Sequence, residues 1–589
     1  MKKGLFVIIL AVLGAGGYFA WKYFQTSFPE TVFPARITLY LYFHDVHEAE
    51  ANLKKTVLWQ QIEKSPRKDN YKRQLERLTY FIESATGVDF KPLFAEFEKD
   101  LALGVYPLKG NDKMGGAFIG YVKSESDTAK FFIQKVDPSL KRRITDIQKF
   151  SLNYNGIDYF RYNSAQFPPN ISPCYALFND HLAIASNEDS LKIILDVKAG
   201  KITSLKKTPV FQTAKKRIGY SRGLLIFLDA QSALDLIKNN LSATRQKFWP
   251  AVLRISGING LETLAYSITV KGEGFEEKGF LSLKEQREGL LKIYFQQQPR
   301  TLESTSAIPA DAKVMNAGTL ADFAKMWDEV NSQLNGILTQ SQYEQWQKAL
   351  NAMRGIFNFD VRRDLLEPLG NEFCFSYEAS ENILSNPAAL KYLLIIQVRN
   401  PEKFRETLER VVSLAALRGM EQKQEDYRGK KLQTFNVSIG QLSASPAYYL
   451  ENGWFFFSTD QLFLKKSIDA REDKKNIQKL ADYQKVTAGF PAKVSGLSYT
   501  NVSSYLQMYA SILNRQAENP QNQWIREYGL EQELTSLSQH LFGAASYTVI
   551  EKDGMYLQSY SSVPTGLLSL PAAASALPNL MERYNGRLP

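Results

Sequence analysis

The sequence predicts an α+β protein with two tandem related halves, each a mainly antiparallel sheet packed by helices, after an N-terminal transmembrane helix. Three observations predict this class: a strand–turn–strand–helix layout that occurs twice, short strands joined by tight turns, and long helices between them. We predict an anchor over residues 1–25, repeat halves over 30–300 and 301–565, and an Ala/Pro-rich tail over 566–589. A chain of 589 residues is long enough for more than one hydrophobic core.

The first residues predict a membrane anchor. Lys2 and Lys3 precede an uncharged run over residues 4–21, which is long enough to cross a bilayer as a helix. The two lysines favour a cytoplasmic N-terminus, and aromatic residues crowd the far end of the run as they do at membrane interfaces. A cleaved secretory signal is the alternative, with Gly14 and Gly16 as small residues near a processing site. We expect an uncleaved, single-pass anchor in the inner (cytoplasmic) membrane, with the bulk of the chain periplasmic or extracellular.

The duplicated layout is clearest in two stretches of the chain. "YALFNDHLAIASNEDSLKII" begins at Tyr175 and "YYLENGWFFFSTDQLFLKKS" at Tyr448, an offset of 273 residues. In each copy a short strand ends at a two-residue turn, Asn-Asp or Asn-Gly, whose residues tolerate positive φ. A second strand returns, and Asn187 or Asp460 then caps a helix. The two stretches therefore predict the same hairpin followed by the same helix.

The match extends beyond this unit. Tyr154, in "YNG", lies 273 residues before Tyr427, in "YRG". "GAFIGYVKSESDTAKFF" resembles "KYLLIIQVRNPEKFRETL" at a slightly larger offset, and "GVDFKPLFAEFEKDLAL" resembles "NFDVRRDLLEPLGNEFCF". Insertions in loops produce such a drift in offset. The chain is therefore predicted to hold two related halves, over residues 30–300 and 301–565.

Individual elements follow from local signals. Four strand-to-helix turns contain a residue type suited to capping a helix; these residues are Asp45, Asp229, Thr319 and Asn501. Long helices are predicted over residues 71–83 and 342–354. The stretch "LRISGINGLETLAYSITVKGEGFEEKGFLSLKE" predicts an antiparallel meander broken at glycines.

Composition excludes some functions. With 44% hydrophobic and 23% charged residues the chain has the make-up of a globular protein, and its net charge of +11 is moderate for its length. It has no dense Lys/Arg run of the kind that marks nucleic-acid arms, so no nucleic-acid partner is expected. The two cysteines, Cys174 and Cys374, predict buried thiols, with a disulfide as the alternative, and they supply no metal framework.

Two motifs suggest chemistry on a first inspection. His44 and His47 flank Asp45 and could ligate a metal, but Asp45 also fits a helix cap, and no further histidine or cysteine lies nearby. Ser221, in "GYSRG", matches the hydrolase pattern G-x-S-x-G. That pattern needs a strand before the serine and a helix after it, and here we predict the reverse order. Neither motif supports a catalytic or metal site.

Acidic pairs and one aromatic strand are the remaining candidates. Glu96 with Glu98, and Asp360 with Asp364, could act as acid and base if each pair faced a cleft. We expect instead that these residues lie on the solvated faces of charged helices. The aromatic run over residues 454–457 predicts a buried strand, and the alternative is the wall of a groove for a lipid or peptide.

The chain resembles a known family. The anchor, the repeated strand–Asp–helix units, the segment "FDVRRDLLEPLGNEF" and the hairpin "YYLENGWFFFSTD" are similar to those of a bacterial envelope family catalogued only as a domain of unknown function. The resemblance covers most of residues 30–510, although half one lacks the glycine of that segment. It implies an envelope-anchored protein and supplies no catalytic residue.

These observations predict a membrane-anchored extracytoplasmic binding or scaffold protein. The expected partners are the membrane, through residues 4–21, and an unknown envelope protein, lipid or polymer. We assign no catalytic, cofactor-binding or metal-binding residue and expect no cofactor. The alternatives are an envelope lipid-binding or carrier protein and a carboxylate-dependent envelope hydrolase.

Overall fold

A computed structural model gives the positions of most of the chain between residues 29 and 566. The described residues are 29–65, 97–108, 114–168, 170–220, 222–379, 390–416, 421–439, 442–518 and 529–566. The predicted anchor, the predicted helix over 71–83 and almost all of the tail lie outside them. Within the described part of the chain, no helix is long and apolar enough to cross a membrane.

The chain divides into two compact units. Unit 1 comprises Met1–Glu50 and Lys72–Leu236, and unit 2 comprises Ala51–Tyr71 and Ile237–Pro589. Residues 237–300 thus group with unit 2 by compactness. The boundary that we predict at residue 300, between the two repeated halves, is a separate matter and stays a prediction.

Unit 1 contains an antiparallel sheet of eight described strands. In spatial order it is β8-β1-β2-β3-β7-β6-β5-β4. The strands are β1 Leu39–His44, β2 Phe97–Pro107, β3 Met114–Val122, β4 Gln148–Tyr154, β5 Ile157–Asn163, β6 Cys174–Phe178, β7 His181–Ala185 and β8 Gly223–Asp229. The helices that follow or flank them are α1 Val46–Leu53, α3 Glu125–Phe131, α4 Asp137–Arg143, α5 Glu188–Lys198, α6 Pro209–Arg217 and α7 Ala230–Asn239. The ends of α1 and α7 pass into unit 2.

Unit 2 contains a longer antiparallel sheet. In spatial order it is β14-β15-β18-β19-β13-β12-β11-β20-β21-β22-β10-β9. The strands are β9 Leu261–Lys271, β10 Gly274–Leu283, β11 Val314–Thr319, β12 Leu369–Ala379, β13 Leu390–Val398, β14 Gln422–Tyr427, β15 Lys430–Phe435, β18 Ala447–Glu451, β19 Trp454–Ser458, β20 Gly496–Thr500, β21 Ala544–Glu551 and β22 Gly554–Ser561; β16 Val437–Ile439 and β17 Leu442–Ala444 form a separate ribbon.

Unit 2 has two helices, α2 Val57–Lys64 and α8 Ala243–Ser256, that precede its first strand in the chain, and its other helices lie in the connections between its strands. These other helices are α9 Gly289–Tyr294, α10 Phe323–Leu334, α11 Gln340–Phe357, α12 Pro401–Ala416, α13 Gln461–Glu472, α14 Ala481–Thr487, α15 Val502–Gln516 and α16 Leu530–Ser538. The α+β class, with an antiparallel sheet and helices, is confirmed.

The strand order of unit 1 occurs again inside unit 2. The order β8-β1-β2-β3-β7-β6-β5-β4 has the counterpart β20-β11-β12-β13-β19-β18-β15-β14. Matching backbone contacts fix the correspondence: the N–H of Val122 donates to the carbonyl of Asp180 at 2.8 Å, and the N–H of Val398 donates to that of Gly453 at 2.7 Å. The two halves therefore share one topology, as their repeated sequence predicts.

The turn predictions are confirmed by the backbone. Asn179 and Asp180 have φ of 50° and 58°, and Asn452 and Gly453 have φ of 50° and 75°. Positive φ at both positions gives the hairpin turn that matches the twist of its strands. The helix caps hold as well, since Asn187 accepts from the N–H of Ser190 at 2.9 Å and Asp460 accepts from that of Phe463 at 2.9 Å.

Two local predictions are wrong. Thr319 does not cap a helix, because α10 begins later and Asp322 caps it; the buried Thr319 hydroxyl donates to Gln297 instead. The stretch predicted as a meander is a single hairpin, β9–β10, and its first residues, "LRIS", end helix α8. The other three predicted caps, Asp45, Asp229 and Asn501, each accept from a backbone N–H three residues on.

Each unit has its own apolar core. In unit 1 the aromatic rings of Phe33, Tyr40 and Phe211 meet edge to face beneath the sheet. In unit 2 the largest cluster includes Met315, Cys374 and Phe456, all at most 2% exposed. Each core holds the strands of its unit in place, and the polar side chains described below lie at the ends of these strands.

Candidate functional site

A charged cleft in unit 2 lies where three neighbouring strands reach one edge of the sheet. Strand β11 ends at Thr319, β12 begins at Leu369 and β13 ends at Val398, and Leu369 pairs with Val398 in the ladder. Antiparallel neighbours bring the end of one strand beside the start of the next. The loops that leave these strands therefore converge.

Two helix starts border the cleft. Asp322 caps α10 by accepting from the N–H of Lys325 at 3.0 Å, and Asn400 caps α12 by accepting from that of Lys403 at 3.2 Å. Both helices contact the π-helical turn Val361–Leu366, which precedes β12. This packing fixes the walls of the cleft.

The cleft consists of two adjoining hollows that share Glu367 and Arg399. The larger has a volume of about 630 Å³ and the smaller about 360 Å³. The charged residues that line them are Asp322, Lys325, Arg362, Glu367, Arg399, Glu402, Lys403 and Arg405. Five of these are cations and three are carboxylates, so the lining has a positive balance.

Most cations of the cleft already have carboxylate partners. Lys325 lies 3.2 Å from Asp322, and Lys403 lies 3.6 Å from Glu367. Arg362 donates to Glu367 and, at 2.7 Å, to Asp328. Such pairs are worth little individually because they are exposed. Their charges largely cancel within the cleft.

Arg399 differs from these residues. Its guanidinium donates to the side-chain oxygen of Asn371 at 3.1 Å, and no described carboxylate lies within ion-pair distance of it. Its charge still reaches Asp322: burial raises the pKa of Asp322, but hydrogen bonds from Lys325 and the charges of Lys325 and Arg399 outweigh it, so the pKa is lowered. Arg399 is thus oriented by an amide and has an open guanidinium edge.

The equivalent place in unit 1 has a different charge. The backbone correspondence aligns Val122 with Val398, so Lys123 takes the position of Arg399. Helix α3 then begins with the acidic residues Glu125 and Asp127, capped by Ser124, where α12 has Pro401 and Lys403. The charge pattern of the cleft is therefore not shared by the equivalent place in unit 1.

The histidine motif forms a contact in unit 1. The Nδ1 atom of His44 lies 2.9 Å from Asp100, whose carboxylate also accepts from the N–H of Asp45 at 3.3 Å. Asp45 caps α1, as predicted, with φ of 48°. Among the described residues no group of three or more His, Cys, Asp or Glu side chains is arranged to hold a metal ion.

The hydrolase-like motif has the predicted order of elements. Helix α6 precedes it, and strand β8 begins at Gly223, the last residue of the motif. Ser221 itself lies outside the described residues.

Contrary to our prediction, the acidic pair Asp360 and Asp364 does not lie on the solvated face of a helix. Asp364 is buried, not solvated, at 2% exposure, and it accepts from the N–H of Asp360 at 2.8 Å. Hydrogen bonds from Arg363 lower the pKa of Asp364 to about 2. Burial opposes the change at Asp360, but hydrogen bonds from Arg363 and Arg354 lower its pKa as well. Two ionised carboxylates in one ion-paired turn do not supply an acid and a base with separated pKa values.

The other pair lies at the start of a strand. Glu98 belongs to strand β2 and not to a helix. Glu96 lies outside the described residues.

The aromatic strand and the cysteines are buried, as predicted. Trp454, Phe455 and Phe456 in β19 are at most 8% exposed. Cys174 and Cys374 are both free and buried. Burial raises the pKa of the Cys174 thiol to about 12 and raises that of Cys374 further.

Sequence reasoning missed Arg399, Lys403 and Arg405. The signal was present in the alignment of "QVRNPEKFR" with "YVKSESDTA", where the duplicated sequence changes from basic to acidic. The alignment could not predict that the turn with Arg362 and Glu367 borders the same cleft, because the contact of this turn with α10 and α12 forms only in the folded chain.

The chain belongs to the family described as "Protein of unknown function (DUF3352)", whose model matches residues 153–386 and 338–579. The predicted resemblance to a family of unknown function is therefore confirmed. No curated protein matches the chain.

Three solved structures show distant similarity to the chain. Crystal forms III, I and IV of TP0453 each match with a TM-score of 0.24, at 13%, 11% and 12% identity. They cover 46%, 46% and 43% of this chain and 84%, 83% and 80% of theirs. Similarity at this level carries no argument about fold or function.

Proposed function

We propose that the protein is a membrane-anchored extracytoplasmic binding or scaffold protein, and that the cleft of unit 2 holds acidic groups of its ligand. The observation that carries the proposal is Arg399, whose guanidinium lines a hollow of about 630 Å³ and has no described carboxylate partner. A guanidinium presents a planar set of donors that fits a carboxylate or phosphate. Arg405 adds a second cation on the same wall.

The exposure of the cleft constrains the ligand. An exposed charge pair contributes at most about 1 kcal/mol, so a single small anion would bind weakly. A ligand with several acidic groups can use several such contacts at once. An acidic envelope polymer or the acidic surface of a protein satisfies this condition.

The alternatives gain less support. The carrier hypothesis was based on β19, and Trp454, Phe455 and Phe456 of this strand are buried in the core. The hydrolase hypothesis was based on acidic pairs, and the pKa values of Asp360 and Asp364 are both lowered. The cleft therefore favours binding over either alternative.

Binding of poly-L-glutamate to the full chain in detergent tests the proposal. We expect Arg399→Ala combined with Arg405→Ala to weaken the affinity about tenfold, since two cations are removed. Lys123→Ala combined with Lys130→Ala is the matched control, because it removes two cations at the equivalent strand–helix junction of unit 1. Equal losses in the two double variants would mean that net charge, and not the cleft, attracts the polymer. Mass spectrometry of material that copurifies with the unsubstituted chain then identifies the natural ligand.

A further inference from the structure

One helix of unit 2 exposes an apolar stripe. In α8, Phe248 is 50% exposed and Val252 is 45% exposed, and residues four apart lie on one face of a helix. Ile237, near the end of α7, is 49% exposed. No residue of α8 is fully buried. The helix thus presents two large apolar side chains, those of Phe248 and Val252, to solvent on one face.

The same segment is basic. From residue 236 to residue 261 the sequence contains four cations and no Asp or Glu; the cations are Lys238, Arg245, Lys247 and Arg254. Arg245 lies three residues before Phe248, so a cation and the apolar stripe share one face. No described carboxylate is within ion-pair distance of Lys238, Arg245 or Lys247. The charge is therefore available to an external partner.

Contacts at both ends hold helix α8 in place. The side-chain amide of Gln246 donates to the carbonyls of Lys238 and Leu241, both at 3.1 Å, which ties α8 to the end of α7. At its other end α8 stops at Gly257, which has φ of 72° and packs against the start of α9. The apolar and basic side chains are therefore presented from a fixed helix.

We propose that α8, with the last residues of α7, docks on the surface of an anionic lipid bilayer. Phe248 and Val252 enter the headgroup region, and Lys238, Arg245 and Lys247 lie against the lipid phosphates. A basic helix with exposed aromatic and aliphatic residues has the composition of an interfacial helix. Charge complementarity selects this partner, since an apolar stripe on a helix whose only charged residues are cations matches a surface that is apolar within and negative outside. The inference depends neither on the cleft nor on residues 4–21.

Fluorescence from a single labelled site tests this docking. The full chain with Val252→Cys is labelled with an environment-sensitive dye and incorporated into vesicles of phosphatidylcholine, with or without phosphatidylglycerol. Cys174 and Cys374 are buried, so the dye is directed to the new thiol, and labelling of the unsubstituted chain gives the background. A dye at Leu462→Cys is the control, because Leu462 is 64% exposed on α13 of the same unit.

We expect headgroup-attached quenchers to quench the dye at residue 252 only when phosphatidylglycerol is present, and to leave the dye at residue 462 unchanged. Replacing Lys238, Arg245 and Lys247 together with Gln should lower the docked-to-free ratio about 100-fold, since each cation near an anionic surface contributes about fivefold. Far-UV circular dichroism of each variant confirms that it is folded.

Three results would overturn the inference. One is equal quenching with and without phosphatidylglycerol, another is equal quenching at residues 252 and 462, and the third is an unchanged docked fraction in the triple Gln variant. A change in dye emission that follows protein concentration without lipid would assign the face to a second copy of the chain, and would overturn it as well.

Discussion

The hydroxyl of Tyr427 donates to both carboxylate oxygens of Asp469, at 3.1 and 3.0 Å. Tyr154 and Asp196 make the same contact in unit 1, at 3.1 and 3.2 Å. In both units the contact joins the turn between two strands to the helix after the next hairpin. A polar contact that occurs at corresponding positions of both halves indicates a structural role.

Removing this contact should destabilise unit 2. We expect Tyr427→Phe to lower the free energy of unfolding by about 1 kcal/mol, because a hydrogen bond to a carboxylate is lost at a partly exposed site. Urea denaturation followed by circular dichroism measures the change. Tyr448→Phe is the control, since no described group bonds its hydroxyl, and an equal loss in both variants would contradict the role of Asp469.

A methyl group at Gly257 should be poorly tolerated. Its φ is 72°, and an added Cβ would lie 1.9 Å from the carbonyl oxygen of Glu288. Left-handed backbone costs an L-residue about 1–2 kcal/mol, and the clash with backbone adds to it, so we expect Gly257→Ala to cost at least about 3 kcal/mol. Gly429→Ala isolates the backbone cost, because Gly429 has φ of 76° and nothing within 4 Å of the added Cβ. Thermal unfolding should give a lower melting temperature for Gly257→Ala than for Gly429→Ala. Similar melting temperatures would show that α9 moves away freely from the added methyl group.

Asp364 should make stability depend on acid pH. Its pKa is about 2 in the folded chain against an ordinary value of 3.8, because Arg363 hydrogen-bonds its charged form. A lowered folded-state pKa stabilises the protein above the unfolded pKa, and this contribution is lost as the pH falls from about 4 to about 2. Asp364→Asn should therefore cost about 2 kcal/mol near neutral pH and progressively less in acid. Urea denaturation of both proteins across this pH range measures the difference, and a difference that stays constant with pH would exclude the ion pair as its source.

The two thiols should react only when the chain unfolds. Cys174 and Cys374 are free and buried, and burial raises the pKa of both thiols, so little reactive thiolate forms at neutral pH. A colorimetric disulfide reagent should report almost no thiol in the native chain and two after addition of guanidinium chloride. Rapid reaction of one thiol in the native chain would reveal local opening around β6 or β12.

The duplication could be predicted because it depends on local chemistry. Asn179 and Asn452 adopt positive φ in turns, and Asn187 and Asp460 cap helices, through contacts within a few residues. Such contacts are encoded by short stretches of sequence that can be compared directly. The α+β class could be predicted from these turns and helix caps.

The errors arose where distant residues decide the structure. Thr319 has the residue type of a helix cap, but its hydroxyl donates to the side chain of Gln297, and Asp322 caps the helix. Asp364 has the sequence context of a solvated helix, but it lies in a buried turn where the distant Arg410 comes within 3.8 Å of its carboxylate. The cleft was missed for the same reason, because Arg399 and Glu367 come to line the same hollows only when β12 and β13 pair.

The pairing of β10 with β22 has a consequence for synthesis of the chain. Ser559 donates to Glu277 across this pair, and the two residues are 282 positions apart. On the ribosome, β10 therefore emerges long before its neighbour exists, with one row of backbone amides and carbonyls unpaired. Exposed strand edges of this kind attract other unfinished chains, so newly made protein should depend on holding chaperones until β22 has been synthesised.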